Sequence, residues 1–365
     1  MSAMSRGARS WFFLCVFVVF ASAEALAAPE IASVSGTISE GASITISGLN
    51  FGTKNPVAPI SWDNFENKTV GADVANTLPI DGHTWTVIKL SPGDDDVKFS
   101  NTRAHSGSKS VRISWLAESI NAFGWAGKGP YSQLYVSYWR YQTGAYVQGQ
   151  HNHKQFYIYG NANVTGGTEV PQAISFIPAS DTRWGWMNNQ NECDLSASIT
   201  DVTYDQTRDV WNRWEVWIKL NTPSVADGVV MKWIDTVLKI NRSDYKHRCD
   251  NNPTGQWKDL RLGHMWQQLP PAALKEAWFD DVYIDVTRAR VEVCNNPTWA
   301  GRTQCEIQRP TAWSSTAVTV TLNKGSLDNP AVFGYVYVVD ADGNANENGY
   351  PLLLVLTAPS GLQVR

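Results

Sequence analysis

Apolar and polar residues alternate with a period of two along most of this 365-residue chain. Such alternation is typical of β-strands that bury one face, and Gly, Asn, Asp and Pro bound the segments, as they bound strands. Clear examples are KSVRISW, QLYVSYWRYQ, HKQFYIYG, NRWEVWIKL, KDLRLGHMW and AWFDDVYID. Because no helical period continues for long, the pattern predicts an all-β protein, and the spacing of the strands favours sandwiches.

The first 27 residues have a different pattern. Arg6 and Arg9 precede the apolar run WFFLCVFVVF, and small residues then follow at the spacing of a cleavage site. The run is too short to span a bilayer, so we interpret residues 1–27 as a secretory signal peptide. We therefore expect a secreted or periplasmic protein with no membrane insertion.

Composition adds three expectations. The formal net charge of −4 argues against nucleic acid as the main partner. Four cysteines remain after removal of the signal peptide, an even number in an oxidising compartment, and of the three connectivities we prefer Cys193–Cys249 with Cys294–Cys305. Tryptophan is abundant, with 17 residues. Since flat apolar rings can stack on sugars as well as fill a core, some of them suit a glycan surface.

The two ends of the chain each contain strands too few to bury a core alone. PEIASVSGTISEGASITISGLNFGTKN resembles the opening of a TIG (IPT-type) Ig-like domain, and TAWSSTAVTVTLNKGSL with YVYVVDADGNANENGYP resembles its closing half. The resemblance implies one small Ig-like sandwich built from residues 28–60 and 287–365, with residues 61–286 inserted between its halves. Two unrelated pieces, each packed on the middle domain, are the alternative.

The middle of the chain has its own ordered motifs, WDNFE, HSGSKSVRISW, YVSYWRY, RWEVWIKLN and WFDDVYID. Their order is similar to that in concanavalin-like jelly rolls, the fold of polysaccharide lyases, LamG-type lectins and carbohydrate-binding modules. The resemblance implies a jelly-roll sandwich over residues 61–286. The resemblance does not define an activity, because proteins with this fold have several different activities.

Alternation assigns side chains to faces of the strands. One face of QLYVSYWRYQ has Tyr135, Trp139 and Tyr141, and one face of HNHKQFYIYG has His153, Gln155, Tyr157 and Tyr159. If these two strands pair, the two sets lie side by side, as in a sugar-binding groove on a concave sheet. An ordinary amphipathic sheet with tyrosine on its solvent side is the alternative.

A third strand, GQWKDLRLGHMWQQ, adds cations. It has Lys258, His264 and Trp266 on one face and Arg261 on the other, and the sequence does not say which face is exposed. Lys and Arg outnumber Asp between residues 239 and 264 in a protein that is acidic overall. Such a local excess would suit an anionic polysaccharide.

The residue types match those of a lyase. A polysaccharide lyase removes the proton alpha to a uronate carboxylate, and it needs donors that neutralise the carboxylate and a Tyr or His that transfers protons. We assign catalysis to His153, Gln155, Tyr157 and Arg140. We assign substrate binding to Tyr135, Trp139, Tyr141, Tyr159, Lys258, Arg261, His264 and Trp266.

Two carboxylates suggest a structural metal. Glu66 lies in the first motif of the middle domain and Asp281 in its last, and the resemblance to binding modules implies that these strands meet and hold calcium. Carboxylate oxygens are the ligands that this hard cation prefers. The proposed chemistry itself requires no cofactor.

Three functions follow from these expectations. The first is a secreted, monomeric polysaccharide lyase that cleaves an acidic, uronate-containing polysaccharide by β-elimination. The second is a non-catalytic carbohydrate-binding or cell-surface adhesion module with the Ig-like part as a spacer. The third is a structural surface protein. Paired carboxylates of a glycosidase, a G-x-S-x-G elbow and an H-E-x-x-H motif are missing from the sequence.

Overall fold

The computed structural model describes residues 27–89, 97–115, 120–143, 153–160, 172–177, 183–188, 204–205, 208–248, 254–265, 275–327 and 332–353. The described residues form β-strands joined by turns, which confirms the predicted all-β class. The strands are, in chain order, β1 (Glu30–Gly36), β2 (Ser43–Leu49), β3 (Ser61–Asp63), β4 (Asp81–Gly82), β5 (Thr86–Lys89), β6 (Val97–Ser100), β7 (Ser110–Trp115), β8 (Ile120–Trp125), β9 (Gln133–Gln142), β10 (His153–Tyr159), β11 (Gln172–Ile177), β12 (Arg183–Asn188), β13 (Tyr204–Asp205), β14 (Trp211–Lys219), β15 (Gly228–Ile234), β16 (Val237–Tyr245), β17 (Asp259–Met265), β18 (Lys275–Asp285), β19 (Arg290–Cys294), β20 (Cys305–Trp313), β21 (Ala317–Thr321), β22 (Val332–Val339) and β23 (Tyr350–Leu353).

The two chain ends share one sheet, in the order β1-β2-β21-β20-β19-β22-β23. The N-terminal and C-terminal strands meet where β2 pairs antiparallel with β21, from Ser43 opposite Thr321 to Ser47 opposite Ala317. The end strands β1 and β23 also contact each other, so the sheet curls around a core of its own. We call this unit the terminal sandwich. The pairing of the chain ends agrees with the expectation from the sequence, and the TIG-type classification stays a prediction.

The remaining strands, β3 to β18, form the central sandwich. Its first sheet has the order β16-β15-β14-β9-β18-β3-β4, with β6 and β7 attached through β18, and we call it the nine-stranded sheet. Its second sheet has the order β13-β12-β11-β10-β17-β8-β5, and we call it the β10 sheet. A continuous apolar core fills the space between them. Several of the abundant tryptophans serve this core and are at most 2% exposed: Trp85, Trp115, Trp125, Trp214 and Trp257.

The predicted pairing of the two aromatic strands is wrong. β9 pairs with β14 and β18 in the nine-stranded sheet, whereas β10 pairs with β11 and β17 in the other sheet. Each strand does bury one face as alternation indicated, with Val136 and Tyr138 on β9 and Phe156 and Ile158 on β10 in the shared core. Their polar faces therefore point away from each other, on opposite outer surfaces of the sandwich.

The terminal sandwich covers part of the outer surface of the nine-stranded sheet. A small apolar cluster joins the two units, with Ile307 of β20 packed beside aromatic side chains of the central sandwich. Those side chains are Trp62, Tyr135, Trp217 and Tyr283. The outer face of the β10 sheet is the other large face of the central sandwich. Among the described residues, no helix is long and apolar enough to cross a membrane.

Candidate active site

Two tyrosines and an arginine lie together on the outer face of the β10 sheet. Tyr157 is directly opposite Arg261 in the pairing of β10 with β17, and Tyr159 is one pleat further along the same face. The residues between them face the core, because Phe156, Ile158, Leu260 and Leu262 are buried there. All three side chains on the outer face are partly exposed. Strand alternation thus positions a polar aromatic group on a rigid sheet.

The three side chains contact one another closely. Arg261 donates a hydrogen bond from Nη1 to the Tyr159 hydroxyl at 2.6 Å, and its Cζ lies 4.4 Å from the centre of the Tyr159 ring. The Tyr157 and Tyr159 rings are 4.1 Å apart between centres. The amine of Lys154 lies 5.8 Å from the centre of the Tyr157 ring, which adds a second cation. We call Lys154, Tyr157, Tyr159 and Arg261 the tyrosine–arginine cluster.

Burial alters the proton affinities of this cluster. It raises the pKa of Tyr159 to about 12, although the charge of Arg261 opposes the increase. It lowers the pKa of Lys154 from the ordinary lysine value, because the charged amine loses water. Tyr159 is therefore a protonated donor at neutral pH, and Lys154 gives up its proton more readily than an exposed lysine. Among the described residues, the buried Nε of Arg261 has no hydrogen-bond partner.

Lys154 is the member that the sequence analysis missed. In strict alternation it shares a face with Phe156 and Ile158, which indicates a core position. A β-bulge between Lys154 and Phe156 interrupts the register of β10 with both of its neighbours. The bulge breaks the period of two, so the position cannot be assigned by counting residues. A lysine among apolar positions of a strand was the available signal.

The other predicted residues of β10 have mixed outcomes. Gln155 lies at the bulge and is fully buried, so its assignment to an open groove is wrong. His153 begins the strand opposite Ile177, and its side chain lies outside the described residues. Lys258 is exposed just before β17, where its backbone N–H donates to the Tyr159 carbonyl at 2.7 Å. Trp266 lies outside the described residues.

The predicted sugar-stacking row on β9 is wrong because its rings are already covered. Tyr135, Trp139 and Tyr141 are at most 8% exposed. Each has a cationic or imidazole side chain over its ring, and the pairs are Arg290 at 4.5 Å from Tyr135, His105 at 3.6 Å from Trp139 and Arg103 at 4.4 Å from Tyr141. Alternation placed these residues on one face correctly, but the face is occupied by the terminal sandwich and by the loop before β7.

Arg140 and His264 were predicted to contact the substrate and instead lie between the sheets. Arg140 is 3% exposed, with its Cζ 5.7 Å from the ring centre of Phe279. His264 is fully buried and stacks on Trp115 with 4.3 Å between ring centres. Burial, aided by the charge of Arg140, holds the pKa of His264 well below its ordinary value. A neutral stacked imidazole in the core serves packing, and neither residue belongs to the outer face.

The two predicted calcium ligands bind different protein groups. The Glu66 carboxylate accepts hydrogen bonds from the backbone N–H groups of Ser108 at 2.8 Å and Lys109 at 2.7 Å. Asp281 accepts one from Ser106 Oγ at 3.0 Å, and its other oxygen lies 3.0 Å from His105 Nδ1. Both carboxylates thus attach to the loop before β7. Structural calcium at Glu66 and Asp281 stays a prediction.

Asp281 also belongs to a group that contains a histidine. The side chains of His105, Asp281 and Glu306 have possible ligand atoms within 4.8 Å of one another, and all three are almost completely buried. Burial raises the pKa of Glu306 to about 7, and the nearby Asp281 adds to the increase while His105 opposes it. Since the group already forms hydrogen bonds, we assign it to the contact between the two sandwiches.

The same histidine completes a serine–histidine–aspartate chain. Ser326 Oγ lies 2.8 Å from His105 Nε2, and His105 Nδ1 lies 3.0 Å from Asp281. This order of groups is used by serine hydrolases. Here Glu306 accepts a hydrogen bond from the same serine oxygen at 3.3 Å, so an anion developing there would face a carboxylate. The chain fits a polar connection between the sandwiches better than a nucleophile.

One of the two predicted disulfides is present. Cys294 and Cys305 are bonded and join β19 to β20 at their paired ends. Cys193 and Cys249 lie outside the described residues. The 294–305 bridge is buried in the terminal sandwich, far along the chain from the tyrosine–arginine cluster, and has a structural role.

Comparison with known proteins identifies structural likeness only. No family model matches the chain, and no curated protein matches it. Among solved structures, it resembles an endo-β-1,4-glucuronan lyase from the fungus Trichoderma reesei, with 9% identity and a TM-score of 0.43 over 62% of this chain and 95% of that one. It also resembles the alginate lyase Aly36B, with 12% identity and a TM-score of 0.39 over 62% and 97%.

A third structure is domain 4 of AbnA, an extracellular arabinanase from Geobacillus stearothermophilus, in complex with arabinotriose. It has 11% identity and a TM-score of 0.36 over 63% of this chain and 95% of that one. These structural neighbours thus include polysaccharide lyases. At such low identities and TM-scores the likeness adds no evidence for an activity, so the function proposed below depends on the geometry of the site.

Proposed function

We propose that this protein is an exported polysaccharide lyase that cleaves a uronate-containing polymer by β-elimination at the tyrosine–arginine cluster. The observation that carries the proposal is the contact of Arg261 with Tyr159 on the outer face of the β10 sheet. It combines a fixed positive charge, a protonated hydroxyl and aromatic surface in one place. These are the groups that proton removal next to a carboxylate requires.

Each group has a distinct part in this reaction. Arg261 binds the uronate carboxylate and stabilises the negative charge that develops when the adjacent carbon loses its proton. Lys154, with its lowered pKa, is the base that accepts this proton. The carbon–oxygen bond to the leaving sugar then breaks as the double bond forms. Tyr159 donates its proton to the departing oxygen, because its raised pKa keeps it protonated.

The substrate contacts follow from the remaining surface. Tyr157 offers a ring next to Tyr159 on which a sugar can pack, since the C–H face of a pyranose matches an aromatic ring. The fixed positive charge of Arg261 favours a polymer that carries negative charge. An acidic extracellular polysaccharide is therefore the proposed partner.

The test is incubation of the mature protein with alginate, glucuronan and polygalacturonate while absorbance of the unsaturated product is followed. Cleavage of at least one polymer is expected. Tyr159→Phe and Arg261→Met should each lower the rate by roughly a hundredfold or more, because each removes a group used in the transition state. Arg242→Met is the matched control, since Arg242 pairs with Asp244 on the edge strand of the other sheet and should retain full rate.

Binding of the same polymers separates the lyase from the alternative function. A non-catalytic glycan-binding module would bind a polymer without any increase in absorbance, and Tyr159→Phe would then have little effect on affinity. Equal activity of Arg261→Met and Arg242→Met would show that the tyrosine–arginine cluster takes no part in the reaction.

A further inference from the structure

The contact between the two sandwiches contains a buried group of opposite charges. Arg213 and Glu215 extend from β14 of the central sandwich, and Arg290 and Glu292 extend from β19 of the terminal sandwich. All four are at most 6% exposed. Two positive and two negative side chains thus balance in a place that water does not reach. We call these four residues the charged clasp.

Arg213 makes most of the connections across the contact. It donates to Glu292 through Nη1 at 3.1 Å and through Nη2 at 3.0 Å, and to the Cys305 carbonyl at 3.0 Å. On its own side it donates to Ser137 Oγ at 3.2 Å and to the Tyr135 hydroxyl at 3.3 Å. Such two-pronged pairing of a guanidinium with a carboxylate is strong and directional. Arg213 therefore binds both sandwiches at once.

Electrostatics agree with this geometry. Although burial opposes ionisation, the charges of Arg213 and Arg290 hold the pKa of Glu292 well below its ordinary value. The pKa of Arg213 is held well above its ordinary value by Glu215 and Glu292, again against the effect of burial. Each charge thus has a partner on the other sandwich as well as one on its own. Separation of the sandwiches would break the two pairs that cross the contact, Arg213–Glu292 and Arg290–Glu215, and leave each sandwich with only its own pair.

Further bonds surround the clasp. Lys54 forms a buried ion pair with Asp285, and Arg309 pairs with Asp81. Thr236 Oγ1 donates to the Arg302 carbonyl at 3.0 Å, and the Ser326–His105 contact described above lies at the same boundary. The chain also crosses this boundary twice, between β2 and β3 and between β18 and β19. The two sandwiches are therefore joined by two chain connections as well as by ion pairs and hydrogen bonds.

We infer that the two sandwiches unfold as one cooperative unit, so the terminal sandwich is an obligatory part of the structure and not a detachable spacer. Its separation would expose the aromatic cluster around Tyr135 and Trp217 to water as well as break the clasp. Unfolding of either sandwich therefore removes contacts that stabilise the other. This inference concerns stability and is independent of the proposed activity.

The test is hydrogen–deuterium exchange of the full mature chain in increasing urea, with peptides from each core followed separately. Val318→Ala removes two methyl groups from the terminal core, which in the described part of the chain forms a cluster separate from the central core. The midpoint of a peptide is the urea concentration at which half of the molecules have lost its protection from exchange. If the sandwiches are coupled, the substitution should lower the midpoints of peptides from β9 and β14 by as much as those from β20 and β22. Unchanged midpoints in β9 and β14 would overturn the inference.

Two further variants serve as a milder substitution and as a control. Ile46→Val removes a single methylene from the same core and serves if Val318→Ala fails to fold, with the same equal shift expected. Leu49→Ala is the control, since Leu49 is 56% exposed on β2 and its truncation should move neither set of peptides. Two well-separated transitions in the unsubstituted protein would also contradict a single cooperative unit.

Discussion

Replacement of Arg213 by methionine tests the energetic weight of the charged clasp. Methionine retains the unbranched apolar stem but removes the guanidinium and its hydrogen bonds to Glu292, the Cys305 carbonyl, Ser137 and Tyr135. The clasp then changes from neutral to one net negative charge in a buried place. Loss of one partner from a buried ion pair typically costs about 3–5 kcal/mol, and we expect a loss of unfolding free energy in this range.

A second substitution restores the charge balance. In Arg213→Met with Glu215→Gln, the remaining charges are Arg290 and Glu292, which lie close enough to pair. The double variant should therefore be more stable than the sum of the two single losses predicts, by about 0.5–3 kcal/mol. The reason is electrostatic, because Glu215 without Arg213 is a buried carboxylate that keeps the Tyr135 hydroxyl as a donor but has only Arg290, at 3.7 Å, as a cationic partner.

Urea denaturation followed by tryptophan fluorescence gives the unfolding free energy of each variant from the midpoint and slope. Arg242→Met is again the control, because it breaks an exposed pair whose contribution should be below about 1 kcal/mol. A loss below about 1 kcal/mol for Arg213→Met, or strictly additive losses in the double variant, would refute the view that compensated charges hold the sandwiches together.

Two other predictions concern the site and the disulfide. With Lys154 as base, kcat/KM should rise with pH as the amine loses its proton, at a pH below the ordinary lysine pKa of 10.5. It should decline only toward pH 12, where the Tyr159 hydroxyl ionises. A kcat/KM that falls steadily between pH 7 and 10 would contradict these roles. Joint replacement of Cys294 and Cys305 by serine opens a loop with a sequence separation of 11 and should cost about 3 kcal/mol in urea denaturation, while an unchanged midpoint would show that the bridge adds no stability.

The site was only partly predictable from the sequence. Period-two alternation correctly separated Phe156 and Ile158 from Tyr157 and Tyr159, because successive side chains of a strand must point to opposite faces. The same rule placed Trp139 on a polar face, which is also correct. It could not show that His105, from a distant loop, covers this ring.

Several properties were determined by the sequence itself. The all-β class follows from local alternation. Export and an even number of cysteines made Cys294–Cys305 part of the preferred connectivity among three, and the resemblance of both chain ends to one Ig-like domain predicted that they meet. Such features depend on residues close in the chain, or on short pieces that cannot bury a core alone. They are therefore readable without knowledge of distant contacts.

Only the tertiary structure decided which strands are neighbours and which face stays open. Alternation is identical for an outer face that meets solvent and one that meets another domain, so Tyr135 and Tyr157 look alike in the sequence. Partner choice between strands depends on packing over long separations in the chain, as does the bulge that brings Lys154 to the cluster. The charged clasp arises in the same way, because Arg213 and Glu292 lie 79 residues apart and their pairing follows from the docking of two cores.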